Sequence, residues 1–123
     1  MKKVLYVAIM ALTLGMFAGC TGATAGKVPV IDEQNATVNG QKFDNETYAC
    51  WQFDWQTVEQ DPEGSETANG TDFYWMTEFG AQSFKASWDY SNNQKVCIYG
   101  ICSSIKGTSK LTKTNHTISE CDD

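Results

Sequence analysis

The run ETYACWQFDWQTV, Glu46 to Val58, alternates clearly between two sets of side chains. Ala49, Trp51, Phe53 and Trp55 fall on one side of an extended chain, and Tyr48, Cys50, Gln52, Asp54 and Gln56 on the other. A period of two marks a half-buried β-strand, because successive side chains point to opposite faces of a sheet. Such a strand must bury its apolar face against another element. Large rings fill that face, and rings build a core with few residues.

The neighbouring segments extend the pattern. Thr37 to Phe43 reads as a tight hairpin around Asn39-Gly40, the preferred pair where both turn residues need positive φ. Glu59 to Thr71 holds Pro62, Gly64 and Gly70 and no large apolar residue, so it reads as a solvated loop. Its acids lack the order of a calcium-binding loop. Asp72 to Phe79 is strand-like again, with Phe73, Trp75 and Phe79 on one side. Ser83 to Ser91 also alternates, Phe84, Ala86, Trp88 and Tyr90 against serines, Lys85 and Asp89, and reads as a further strand. Asn92-Asn93 and Lys106-Gly107 read as turns, with KVCIYGIC and SKLTKTNHTIS as the last strands. The expectation is a mainly β single small domain, an antiparallel meander of about six strands closed as a barrel or sandwich and stapled by disulfides. The alternative is α+β, with Thr77 capping a helix over 78–90 that carries Ala81, Phe84 and Trp88 at helical spacing.

The chain has five cysteines. Setting Cys20 aside leaves Cys50, Cys97, Cys102 and Cys121, and four cysteines in a small exported domain read as two disulfides. All three connectivities stay open. A direct Cys97–Cys102 bridge needs a tight reversal, for which Gly100 offers the backbone freedom. The spacing lacks a Cys-x-x-Cys knuckle, so no metal site is expected.

Residues 1–19 read as a signal peptide. Lys2 and Lys3 precede the uncharged run Val4 to Ala18, whose fifteen residues fall short of the ~20 that span a bilayer. Phe17-Ala18-Gly19-Cys20 resembles the lipobox of bacterial lipoproteins, with Phe17 where Leu is usual. That resemblance implies lipidation at Cys20. Ala23-Thr24-Ala25 offers a competing cleavage after Ala25. Residues 20–34 are then expected to be a lipidated N-terminus and flexible tether, and 35–123 the β-rich domain.

Charge narrows the partners. Without Lys2 and Lys3, seven basic residues face fifteen acids, a net charge of −8, and there is no arginine. Nucleic acid is therefore not an expected partner. Nine acids and no base lie between Asp44 and Phe84, and four lysines and no acid between Tyr90 and Ser119. These two segments either neutralise one another or leave an acidic face for a cationic partner.

Catalytic motifs are absent: no nucleophile elbow, zinc-protease signature or phosphate loop occurs, and His116 stands alone in a polar segment. Asp54 and Asp72 facing each other across two strands would be a glycosidase-like pair. Trp51, Trp55 and Trp75 would make a stacking platform if they were not needed in the core. The expected binding face is Tyr48, Asp54, Asp72, Tyr74 and Met76. Four Asn-x-Thr sequons occur, at Asn35, Asn45, Asn69 and Asn115; in a eukaryotic secreted protein they would mark glycosylated loops, whereas in the bacterium that the lipobox resemblance implies they are expected to reflect an Asn- and Thr-rich composition.

VNGQKFDNETYACW and YWMTEFG, together with the lipobox, resemble segments of small lipoproteins of gut Bacteroidetes. The resemblance covers about half of the mature chain. It implies a location in the cell envelope, anchored to the outer membrane by lipid, and no activity. The expected function is a non-enzymatic binding module with a protein or carbohydrate partner and no cofactor. The alternative is an inhibitor or immunity-type protein that turns an acidic face to a cationic toxin or enzyme.

Overall fold

A computed structural model describes residues 23–25 and 27–121. The expected signal peptide and the lipidation site Cys20 lie outside the described residues. The strands are β1 (Ala23–Ala25), β2 (Ile31–Asp32), β3 (Thr37–Val38), β4 (Gln41–Lys42), β5 (Tyr48–Asp61), β6 (Gly64–Thr77), β7 (Asn93–Ile98) and β8 (Ile101–Lys113). Helix α1 (Glu78–Ser91) joins β6 to β7, and a single helical turn, α2 (Ile118–Cys121), follows β8.

The chain is mainly β, as the alternation implies. One antiparallel sheet has the strand order β1-β7-β8-β5-β6, and a second pairs β2-β3-β4. This is not a meander. Strand β8 returns past its own hairpin partner to pair with β5, Phe53 opposite Leu111 and Asp54 opposite Lys110. Neither sheet closes into a barrel. Segments expected to be tether also pair, since β1 lies along β7 and β2 belongs to the small sheet. The hairpin at Asn39-Gly40 forms as expected, both residues at positive φ (52° and 82°).

Ser83 to Ser91 is helix, not strand. Thr77 is the N-cap, its Oγ1 accepting from the Gly80 N–H at 3.0 Å, which satisfies one of the helix's free donors. Small residues made the alternation misleading: Ser and Ala fit any face of a helix, whereas the large rings obey its period. Phe84 and Trp88, one turn apart, pack against Phe53 on the large sheet, at 4.9 Å and 5.3 Å between ring centroids. Phe79 and Ala86 pack the other way, with Ala36, Val38 and Phe43 of the small sheet. The helix is thus the middle layer between two sheets. Phe53 is 1% exposed at its centre, worth about 2–3 kcal/mol of apolar burial.

Asn92-Asn93 is not a hairpin turn either. The side-chain amides of Asn92, Asn93 and Gln94 donate to the carbonyls of Trp88, Asp89 and Tyr90 at 2.7–2.8 Å. Three of the last helical carbonyls are satisfied by a run of three amides. Lys106-Gly107 lies inside β8, where Gly107 lets the Trp88 ring sit flat: an added Cβ would stand 2.8 Å from it. The expected loop Glu59 to Thr71 is the outer half of a long hairpin turning at Pro62-Glu63. Residues 60–67 are exposed on both sheet faces, which suits their polar side chains, and Ala68 and Gly70 rejoin the core rings.

The disulfides are Cys50–Cys121 and Cys97–Cys102. The second closes across the reversal at Tyr99-Gly100, both at positive φ.

Candidate functional site

The register divides the expected binding face in two. Trp51 is opposite Tyr74, Phe53 opposite Asp72 and Ala49 opposite Met76, so Asp72, Tyr74 and Met76 share the helix-covered face with the core rings. Tyr48 and Asp54 sit on the other face, opposite Thr77 and Thr71. Asp54 and Asp72 therefore point away from each other, and the glycosidase-like pair does not form. The tryptophan platform does not form either. Trp51 and Trp55 are core, and Trp75 lies on the opposite face.

Asp72 is buried, and its Oδ2 accepts from the Trp55 indole N–H at 2.9 Å. Gly70 makes room for that indole, since a Cβ there would stand 2.8 Å from the ring. Tyr74 packs on Phe84 at 5.2 Å. Burial, and then the charge of Asp72, push the Tyr74 hydroxyl well above the ordinary tyrosine pKa. This group stitches the edge strand to the core.

Among the described residues, the opposite face of the large sheet is covered at one end only. There Thr114 donates from both its N–H and its hydroxyl to the Cys50 carbonyl, at 2.9 and 3.0 Å. Cys50, fully buried, is tied to Cys121. His116 meets the edge of Phe73 at 5.8 Å and pairs with Glu120 at 3.0 Å, both largely exposed. Glu120 is held below the usual carboxylate range by His116 and then Thr117.

Beyond this strap the face is open. Asp54, Gln56, Asn69, Thr71, Thr108 and Lys110 border a shallow depression of about 470 Å³. Asp54 is fixed within it: Thr71 Oγ1 donates to its Oδ1 at 2.7 Å, and the Gln52 amide reaches both oxygens at 3.0–3.1 Å. Those bonds, with Lys110 opposite, hold its carboxyl below the usual range. A carboxylate kept ionised and aimed is a hydrogen-bond acceptor, with amides, hydroxyls and an ammonium around it. Among the described residues no cluster of His, Cys, Asp or Glu is grouped to hold a metal.

Lys110 opposite Asp54 also brings the lysine-rich and acid-rich segments together at this point. Acids lie unopposed at the end of the long hairpin, where Glu59 is directly opposite Glu66 and Asp61 and Glu63 are exposed.

Sequence reasoning held the Cys97–Cys102 reversal at Gly100 open, but read KVCIYGIC as one strand and did not single out the exposed residues at the tip. Tyr99 is 100% exposed and Ile101 62% exposed, on a turn clamped by Cys97–Cys102. Four residues between two cysteines, with Gly at the third, was the available signal: one cross-strand pair and a two-residue turn fill that spacing. Thr71 could not be placed beside Asp54 without the register. No protein-family model, curated protein or solved structure matches the chain.

Proposed function

We propose that this is an exported, lipid-anchored protein of the bacterial cell envelope that works as a non-catalytic binding module. The open sheet face around Asp54 is its contact surface. The observation that carries the reading is that Asp54 is pre-oriented by Thr71 and Gln52 on a face that none of the described residues covers. Acceptors and donors fixed before binding lower the ordering cost of a complex. A hydroxyl- or amide-rich ligand, carbohydrate or peptide, fits this mixture.

Strand β1 supports processing at Cys20. A mature chain that begins there keeps Ala23–Ala25 as the outer strand along β7, whereas cleavage after Ala25 removes all three residues. Intact mass of the native protein tests this: a mass from Cys20 plus lipid is expected, and one from Gly26 overturns the anchor.

The binding reading is tested by NMR titration with soluble envelope polysaccharides and peptides. Shifts are expected at Gln52, Asp54, Thr71 and Lys110, and Asp54→Asn should abolish them. Shifts confined to other parts of the molecule would reject this face. The acids Glu59, Asp61, Glu63 and Glu66 at the long hairpin's end favour the second reading, an inhibitor or immunity-type protein with a cationic target. Salt separates the two, because a complex made by that end should weaken steeply with ionic strength.

A further inference from the structure

The tip of the β7–β8 hairpin is an apolar surface that none of the described residues covers. Ile98 and Ile101 are a cross-strand pair, and Tyr99 and Gly100 make the turn. Tyr99 is 100% and Ile101 62% exposed. Tyr99 holds φ at 53°, a conformation that bulky residues adopt only at a cost. The Cys97–Cys102 bridge closes the loop directly behind it. No burial among the described residues accounts for the ring and methyls displayed there.

Strand β1 shows where the chain upstream of this domain begins. It runs antiparallel to β7, with Ala25 opposite Gln94 and Ala23 opposite Val96. The N-terminal end of β1 therefore points along β7 toward Cys97 and the tip. Tyr99 lies three residues past Val96, roughly 10 Å along the strand. Cys20 lies three residues before Ala23, a span of at most ~11 Å. The proposed lipid attachment point is thus within that span of the end of β1 that faces the tip.

We infer that the Ile98–Ile101 tip rests in the surface of the bilayer that holds the lipid anchor and fixes the pose of the domain on it. This rests on the lipid-anchored reading above. Tyrosine suits the headgroup region, with an apolar ring and a hydroxyl that stays wet, and the isoleucines suit the boundary just below. The β7–β8 hairpin carries lysines and no acid. The acidic turn at Pro62-Glu63 points the same way but is set back. Gln60 is level with Ser104, so the tip projects about two residues further, roughly 7 Å. Those acids disfavour anionic headgroups, so the contact is an apolar one, insensitive to salt and present on zwitterionic lipid. Acyl chains on Cys20 supply the affinity and the tip supplies orientation. Strands held upright in this way present the Asp54 face sideways, clear of the membrane.

The test uses the full chain, processed by its own export machinery and reconstituted in phosphatidylethanolamine–phosphatidylcholine vesicles that contain a diazirine-bearing phospholipid. After illumination, adducts are mapped by mass spectrometry. Adducts are expected on Ile98, Tyr99 and Ile101, and not on Asp61 to Gly64 or on α2. The double variant Tyr99→Ser/Ile101→Ser should lose most of these adducts while keeping the lipid, both disulfides and an unchanged circular dichroism spectrum. The inference is overturned if the lipidated chain gives no adducts on 98–101, if adducts spread evenly over the domain, or if the double variant keeps them. Tip residues that crosslink to a protein in intact envelopes, and not to lipid, also overturn it. An intact mass without lipid would sink the anchor reading by itself. Because the acyl chains supply the affinity, that unlipidated chain is then tethered to the same vesicles by an N-terminal histidine tag on a nickel-chelating lipid; tip adducts would uphold the tip, and their absence would reject it.

Discussion

The two hairpins of the large sheet point the same way and end differently. The long one, β5–β6, pairs fourteen residues on each strand and ends in an exposed acidic turn. It is held from within, by Phe53 and Trp55 under the helix and by Asp72 accepting from the Trp55 indole. The short one, β7–β8, ends in an apolar turn with a covalent clamp one pair behind it. Among the described residues its tip has no core beneath it, so geometry there comes from a bond and not from packing. A polar end can be left loose in water. An apolar end that stays exposed has to be kept in one shape, or it collapses onto the nearest surface.

Removing each disulfide separately tests this contrast most severely. Cys50→Ala/Cys121→Ala opens a bridge across 71 residues and should cost about 4 kcal/mol by loop-closure entropy, read as a fall in the urea midpoint. If that loss is small, β5 is held by its rings alone. Both hairpins also use a glycine to admit an indole, and these two sites can be compared directly. Gly107→Ala sets a Cβ 2.8 Å from both Trp88 and Asn92, so ring and helix cap must both move, and a loss of up to about 3 kcal/mol is expected. Gly70→Ala meets only the Trp55 ring and should cost less in the same urea series. Cys97→Ala/Cys102→Ala opens a bridge of separation 5 and should cost about 2 kcal/mol, with hydrogen exchange rising at the tip and not in β5. Exchange that rises equally in both hairpins would remove the distinction.

Smaller effects sharpen the comparison further. Tyr99→Asn keeps the positive φ with a residue that tolerates it, so the fold should gain about 0.5–1 kcal/mol, measured by thermal melting. Tyr74 gives the long hairpin an alkaline limit. Its folded pKa lies above the ordinary 10.0, so the folded state holds the proton more tightly than the unfolded chain. The resulting stability is complete below pH 10 and is lost as pH rises above it. Tyr74→Phe should remove that part of the alkaline decline, seen as a flatter melting temperature above pH 10.

The sequence was most legible where one physical requirement acted alone. Alternation from Ala49 to Trp55 had a single cause, one face buried and one not, and its reading holds. The Asn39-Gly40 turn holds for the same reason. Ser83 to Ser91 carried two patterns, and counting positions favoured the wrong one, since serine and alanine match any period. Weighting by ring size, and by the Thr77 cap, would have chosen the helix. The outer half of β5–β6 was illegible because strands without a buried face have no apolar signal to show. At the candidate site, alternation placed Gln52 beside Asp54. Thr71 and Lys110 entered only through register, which depends on turns at Pro62-Glu63 and Tyr99-Gly100 and on β8 crossing back to β5.

Strand β6 forms one outer edge of the large sheet along its whole length, and a row of free N–H and C=O groups that long invites a second chain to add itself. Asp72 lies in the middle of this edge with its carboxylate turned inward and already held by the Trp55 indole. A strand that docked alongside would seal that charge further from water with no cation to meet it. A carboxylate placed in this way works against edge-to-edge pairing of two copies along β6.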